Sequence, residues 1–166
     1  TVMTNSGLEA AIIKAGGKLI RTDVGDKHIV DAMLKDGYNL GGEPSGHIVF
    51  GDHSTAGDGL VAALQILRIM KITGKPLSEL AQCWTRHPQV LTNIPVKEKK
   101  PFEELNGIMD LVREAEADLN QNGSRLLLRY SGTEPKARLL LEGPEDAPLQ
   151  EWSKKIAGAI ESQLSR

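Results

Sequence analysis

One cysteine, Cys83, stands among 166 residues, so no internal disulfide can form and a reducing cytoplasm is the expected compartment. No apolar run approaches the roughly 20 residues that cross a bilayer, and no charged-then-apolar leader opens the sequence; no membrane role is expected. The formal net charge of −2 leaves no broad basic face, which argues against nucleic acid as a partner. Internal repeats and low-complexity segments are missing as well. The sequence opens on Thr1, not Met, and residues 1–3 read as the tail of a strand. The expectation is a piece of a longer chain.

What is present is ordinary for a soluble fold: 40% hydrophobic and 25% charged residues, enough for one medium domain or two small ones. Ser6 to Glu9 has the spacing of a capping box and should open a helix closed by Gly16 and Gly17. Residues 18–22 read as a strand, and Asp26 as the cap of a second helix ended by Gly37. Strands at 38–40 and 47–50 flank "GGEPSGH". From Gly57 a long helix follows whose narrow polar stripe, Gln65, Arg68 and Lys71, predicts burial on most sides. A short helix should begin at Pro76.

Past Trp84 the texture changes to "TRHPQVLTNIPVKEKKP", with three prolines and a charged run at 97–100 that reads as a solvated strand end. A helix is predicted from Pro101 through Leu105, Ile108, Met109, Val112 and Leu119, broken at "NQNG". Two strands and a last helix carrying Leu149, Trp152, Ile156 and Ile160 complete a β-α-β-β-α pattern. The expected architecture is α/β, a layered α/β domain over 1–86 followed by a small α+β domain over 87–166.

Two polar loops carry the chemistry. In "GGEPSGH", Gly42 and Gly46 permit close backbone approach, while Glu43, Ser45 and His47 alternate and should point the same way in an extended segment. A carboxylate, a hydroxyl and an imidazole together suit vicinal sugar hydroxyls, although a solvated glycine-rich turn would look the same. In "RYSGTEPKAR", Arg129 and Arg138 supply forked donors, Ser131 and Thr133 hydroxyls, and Gly132 an unobstructed N–H. That is the inventory of a phosphate site. Glu134 is out of place beside an anion and is expected to pair with an arginine. Asp52, His53 and Asp58 match no metal-ligand spacing. His28 should lie on the surface and His87 should be structural. Cys83, beside Trp84, is expected to be a buried, inert thiol.

Together the loops resemble those of the α-D-phosphohexomutases, over nearly the whole sequence. "GGEPSGH" is similar to the sugar-binding loop of that family's third domain, with Glu43, Ser45 and His47 at the sugar-reading positions. "RYSGTEPKAR" is similar to the phosphate-binding loop of the fourth, with Arg129, Ser131, Gly132, Thr133 and Arg138 as ligands; Glu134 in this loop, Gly42 and Gly46 in the first, and Asp26 are expected in supporting roles. "TVMTNSGLE", "TDVGDKHIVDAM" and "AGDGLVAALQIL" resemble further stretches of the same two domains. The "VGD" at Asp26 and the "GDG" before the long helix look most like the phosphoglucosamine mutase branch, with phosphomannomutase/phosphoglucomutase the alternative. A phosphosugar-binding module without chemistry is the rival from another class.

The resemblance implies exchange of phosphate between glucosamine 6-phosphate and glucosamine 1-phosphate through a phosphoserine, assisted by Mg²⁺. Neither a T-A-S-H-N-P-like nor a D-G-D-x-D-R-like stretch is found in the sequence. The expected catalytic set is therefore empty and no Mg²⁺ is expected here. The expected partners are a hexosamine phosphate and the N-terminal domains of the same parent chain.

Overall fold

The computed structural model describes residues 1–120 and 123–164 as a mixed α/β chain. They form two compact units: Thr1–Thr4 with Leu8–Thr85, and Asn5–Gly7 with Arg86–Arg166. Among the described residues no helix is long and apolar enough to cross a membrane.

The first unit is built around α2 (Asp26–Asp36) and a hairpin of β1 (Leu40–Gly42) and β2 (Ile48–Phe50), paired Leu40↔Phe50 and Gly42↔Ile48. Ile29 and Met33, one helical turn apart, are buried with Val49 and make the small core of this unit. The contact is so close that a Cβ on Gly41 would lie 2.4 Å from Ile29 Cγ2 and 2.6 Å from Met33 Sδ. Only glycine lets the strand pass beneath the helix.

Local expectations are corrected at several points. Residues 1–3 and 18–22 form no strands; a backbone bond from Val2 N–H to the Thr22 carbonyl (2.7 Å) joins them without a ladder. A strand exists only through a registered partner, which periodicity alone cannot supply. Helix α1 (Ser6–Lys14) is capped by Asn5, whose Oδ1 accepts the Gly7 N–H at 3.0 Å, while Glu9 pairs with Arg21. Gly25, not Asp26, is the N-cap of α2.

Helix α3 (Gly59–Thr73) is capped by Asp58, which accepts from Leu60 and Val61 N–H, and it ends at Gly74 in the left-handed region. No residue of α3 is buried, against the expectation of an enclosed helix. It packs on β2 and on the short α4 (Leu77–Leu80), which leaves Leu60 and Ile72 each 71% exposed. Pro76 is the cap before α4 and not its first residue, and Cys83 is exposed.

The second unit is a three-stranded antiparallel sheet, order β3-β5-β4, from β3 (Gln89–Pro95), β4 (Arg125–Tyr130) and β5 (Lys136–Glu142). Two helices, α5 (Ile108–Leu119) and α6 (Asp146–Leu164), cover one face. The β5 alternation sends Ala137, Leu139 and Leu141 into a core with Ile94, Val112, Leu119, Leu149, Ile156 and Ile160. The helix expected from Pro101 begins seven residues later, because a 3₁₀ turn (Phe102–Glu104) and Gly107 intervene; Leu105 is buried all the same. The break expected at "NQNG" falls partly on residues 121–122, outside the described residues.

The other face of β5 carries Arg138, Leu140 and Glu142. Register sets Gln89 and Arg125 beside Glu142, Leu91 and Leu127 beside Leu140, and Asn93 and Arg129 beside Arg138. Glu142 is wholly buried, bonded by Arg125 Nε from β4, Gln89 Nε2 from β3 and, at 3.4 Å, Asn5 Nδ2. Asn5 also pairs with the backbone of His87, accepting its N–H and donating to its carbonyl, each at 3.0 Å.

Removing one partner of a buried pair leaves an uncompensated charge, so Glu142→Ala should destabilise the second unit by about 3–5 kcal/mol. Glu142→Gln, which keeps the shape and an acceptor, should lose less. Urea unfolding followed through Trp152 fluorescence in a Trp84→Phe background checks this; equal stability of Glu142→Ala and the parent would refute it.

Candidate functional site

In the first unit, Glu43 to His47 is a tight turn joining β1 to β2, and not the extended segment that alternation implied. The Glu43 N–H donates to the His47 carbonyl and the Gly46 N–H to the Glu43 carbonyl, both at 3.0 Å. Gly46 has φ of +100°, a conformation that disfavours any side chain. The fold-back does what alternation was expected to do. His47 Nδ1 lies 3.0 Å from Ser45 Oγ and 3.3 Å from Glu43 Oε1. A proton on Nδ1 would serve both oxygens and leave Nε2 for a ligand. The Glu43 side chain is only 9% exposed whereas that of His47 is 57% exposed.

Of the supporting residues, Gly42 pairs with Ile48 at the base of the turn. Asp26 lies exposed at the start of α2, where its Oδ1 accepts the Lys27 N–H at 2.8 Å; among the described residues it has no bond to the turn. Asp52 accepts from Asn39, His53 meets Gln65, and Asp58 is the α3 cap.

In the second unit the loop between β4 and β5 closes through Ser131 N–H to the Lys136 carbonyl (2.9 Å). Ser131 is buried, and its Oγ accepts the Glu134 N–H at 3.3 Å. Gly132 and Thr133 are exposed, and their N–H groups have no partner among the described residues. Arg129 and Arg138 are directly opposed across β4 and β5, so both lie on one face of the sheet. Like charges so placed repel each other. Arg138 Nη2 donates to Glu134 Oε2 at 2.8 Å, yet its Nε is buried without a hydrogen-bond partner among the described residues. Arg129 has no side-chain partner among the described residues.

Glu134 is held as sequence analysis expected for its type, by an arginine, and also by Lys136 Nζ at 2.7 Å. The Lys136 hydrogen bond first, and the Arg138 bond second, hold its carboxyl below the ordinary glutamate range. The strand-end run at 97–100 is less passive than its sequence implied. Lys99 Nζ donates to the Ser131 carbonyl at 2.6 Å, and Tyr130 OH donates to the Lys100 carbonyl at 2.6 Å. Phe102 stacks on Tyr130 at 4.3 Å, 8° from parallel. Burial, with Glu103 and Glu98 adding to it, pushes the Tyr130 hydroxyl up, so it stays a donor. Sequence reasoning passed over Lys99 because a charged run flanked by prolines looks like solvent-facing chain.

Chemically, the loop offers two arginines, a hydroxyl and backbone N–H groups against one internal carboxylate. Such a set can hold a tetrahedral oxyanion.

A depressed carboxyl favours the paired loop above the ordinary glutamate pKa, and that contribution is lost as pH falls through the lowered value. An NMR titration of the Glu134 side chain should therefore show its midpoint below that of an ordinary glutamate. Lys136→Ala should raise the midpoint more than Arg138→Ala. A midpoint at the ordinary value in the parent would mean the pairings are not formed in solution.

Residues 1–87 match the family described as phosphoglucomutase/phosphomannomutase, alpha/beta/alpha domain III, and residues 91–159 match its C-terminal domain. Phosphoglucosamine mutases of Geobacter metallireducens and Myxococcus xanthus are 51% and 52% identical to this chain over 99% of it. The chain spans only 36% of the length of each. A solved structure of Aspergillus fumigatus N-acetylphosphoglucosamine mutase in complex with GlcNAc-6P and magnesium is similar in fold, with a TM-score of 0.76 at 19% identity. The similarity covers 96% of this chain and 40% of that one. With one family domain matched over residues 1–87 and a second over residues 91–159, the chain belongs to the phosphoglucomutase/phosphomannomutase family, the phosphohexomutases.

Proposed function

We propose that this chain reads the substrate of a phosphoglucosamine mutase, which exchanges phosphate between glucosamine 6-phosphate and glucosamine 1-phosphate. The loop of the second unit holds the phosphate that is not being transferred; Glu43, Ser45 and His47 of the first recognise sugar hydroxyls. One observation carries the reading: Arg129 and Arg138 are opposed on one sheet face, with the Arg138 Nε buried and unpartnered. A phosphate dianion relieves the repulsion and satisfies the donor at once. The names of relatives about half identical to this chain support glucosamine over glucose or mannose.

The division of labour follows from the donors present. Arg129, Arg138, Ser131, Gly132 and Thr133 would touch phosphate oxygens alone, so the loop accepts a 1-phosphate or a 6-phosphate alike. An exchange in which the sugar must turn round between two half-reactions needs that indifference. Glu43, as an acceptor, would fix the hydroxyls of the ring. Mg²⁺, which the family resemblance implies, would supply charge neutralisation for the transferring phosphoryl group. Among the described residues no three His, Cys, Asp or Glu side chains gather to hold it. The work of this chain is binding and orientation, which lower the barrier by placing the reacting groups.

Isothermal titration of the chain with glucosamine 6-phosphate tests the reading. Arg129→Ala should weaken binding by about ten- to a hundredfold, the loss of one charge-assisted contact of roughly 1.5–3 kcal/mol. Arg129→Lys should restore only part of it, because an ammonium cannot make the forked contact. An unchanged Kd for Arg129→Ala would reject the phosphate assignment.

The hydroxyl-reading turn is tested separately by comparing sugar phosphate with inorganic phosphate. Glu43→Ala should weaken glucosamine 6-phosphate binding more than Glu43→Gln does, and both should bind inorganic phosphate like the parent. If both variants also bind the sugar phosphate like the parent, the turn is no sugar reader.

A further inference from the structure

Lys99 is the feature of the loop that the proposed function leaves unexplained. Its ammonium is bonded to a neutral carbonyl, that of Ser131, at 2.6 Å. Among the described residues it pairs with no carboxylate, although Glu98 next to it in sequence pairs with Lys100 at 2.7 Å. Fixing a long lysine side chain costs rotamer entropy, so a bond to a neutral acceptor calls for a reason. The backbone supplies one. The Ser131 carbonyl and the Gly132 N–H belong to the same peptide group, and in a planar trans peptide the two point in opposite directions. A cation that fixes the carbonyl on one side therefore fixes the N–H on the other. It also draws electron density toward the oxygen, which makes that N–H a stronger donor. The Gly132 N–H is one of the two loop amides without a partner among the described residues, and Gly132 presents no side chain that would screen it.

The surrounding chain keeps Lys99 in place. Tyr130 OH holds the Lys100 carbonyl, Phe102 stacks on the Tyr130 ring, and Val96 N–H donates to the Pro135 carbonyl at 3.0 Å. The segment before the 3₁₀ turn is thus fastened to the phosphate loop at both of its ends. The charge count points the same way. Arg129, Arg138, Lys136 and Lys99 stand around the loop against the single carboxylate of Glu134.

We infer that Lys99 is a positioning residue of the phosphate loop: by binding the Ser131 carbonyl it aims and strengthens the Gly132 N–H for a phosphate oxygen. The inference rests on the reading of this loop as a phosphate site. It predicts that Lys99 acts without touching the phosphate.

The test is titration of the 166-residue chain with inorganic phosphate, followed through the ¹H–¹⁵N resonances of Gly132 and Thr133. In the parent, saturation should move the Gly132 resonance strongly. Lys99→Met should bind about tenfold more weakly, the low end for one charge-assisted hydrogen bond, and should shift the free Gly132 amide upfield while the thermal midpoint holds. Lys99→Arg, which keeps both charge and donor, should restore the affinity and the shift. Should Lys99→Met unfold, Lys99→Gln takes its place, since it keeps a donor without the charge. Arg129→Ala in the same series separates the two claims. If Arg129→Ala loses binding while the neutral Lys99 variant keeps parental affinity and an unmoved Gly132 amide, the role of Lys99 is rejected and the phosphate site stands. If Arg129→Ala binds phosphate like the parent, the site reading fails and this inference fails with it.

Discussion

A single carboxylate organises the second unit. Glu142 lies at the end of the central strand, fully buried, with Arg125 on one side, Gln89 on the other and Asn5 above. Because its donors come from both neighbouring strands, it fixes the register of the whole sheet. A slip of one residue would turn every side chain to the opposite face, and Glu142 would then be thrust among the leucines of the helical core. With register fixed at that end, the position four residues back is fixed too. There Arg138 is set between Asn93 and Arg129. The charged row that can receive an anion is thus held by a charged row at the far end, with Leu91, Leu140 and Leu127 between them.

The two loops are built by different physics. In the first unit, a turn folds back so that a hydroxyl and a carboxylate meet at one imidazole nitrogen, and the glycine beneath α2 lets the hairpin sit close enough to be anchored. In the second, like charges are forced together by strand pairing and are left partly unsatisfied. Repulsion between Arg129 and Arg138 works against folding, and the same pair would attract a dianion. On the proposed reading, stability given up by that repulsion would be recovered as affinity for the anion.

Much of this was legible from residues alone. The β-α-β-β-α order of the second unit followed from periods of two and of three to four, and the turn between Arg129 and Arg138 from its Gly, Thr and Pro. Glu134 read as a partner for arginine because nothing else suits a carboxylate there. The failures share a cause. Ser6 and Asp26 have the right side chains for caps, but Asn5 and Gly25 hold the capping positions, since a one-residue shift decides which oxygen reaches the amides. Helix α3 is apolar on most sides, yet burial depends on neighbours that pattern cannot count. Cys83 has an apolar setting in sequence and an exposed one in space. Nothing in the sequence marks Glu142; it is buried in the fold, where Arg125, Gln89 and Asn5, more than a hundred positions away, donate to it.

Asn5 acts in this joint as a detached piece of backbone. Its Oδ1 takes the N–H groups of Gly7 and His87, and its Nδ2 gives to the His87 carbonyl and to Glu142. Everything it does depends on one end of the amide being an acceptor and the other a donor. Hydrolysis of that amide to a carboxylate, the slow ageing reaction of asparagine, alters the residue by one mass unit and replaces the donor with a second acceptor. Two oxygens would then confront the His87 carbonyl and the Glu142 carboxylate with no proton between them. Loss of that donor would weaken the anchoring of Glu142, and with it the second unit, without any change in the loop between β4 and β5.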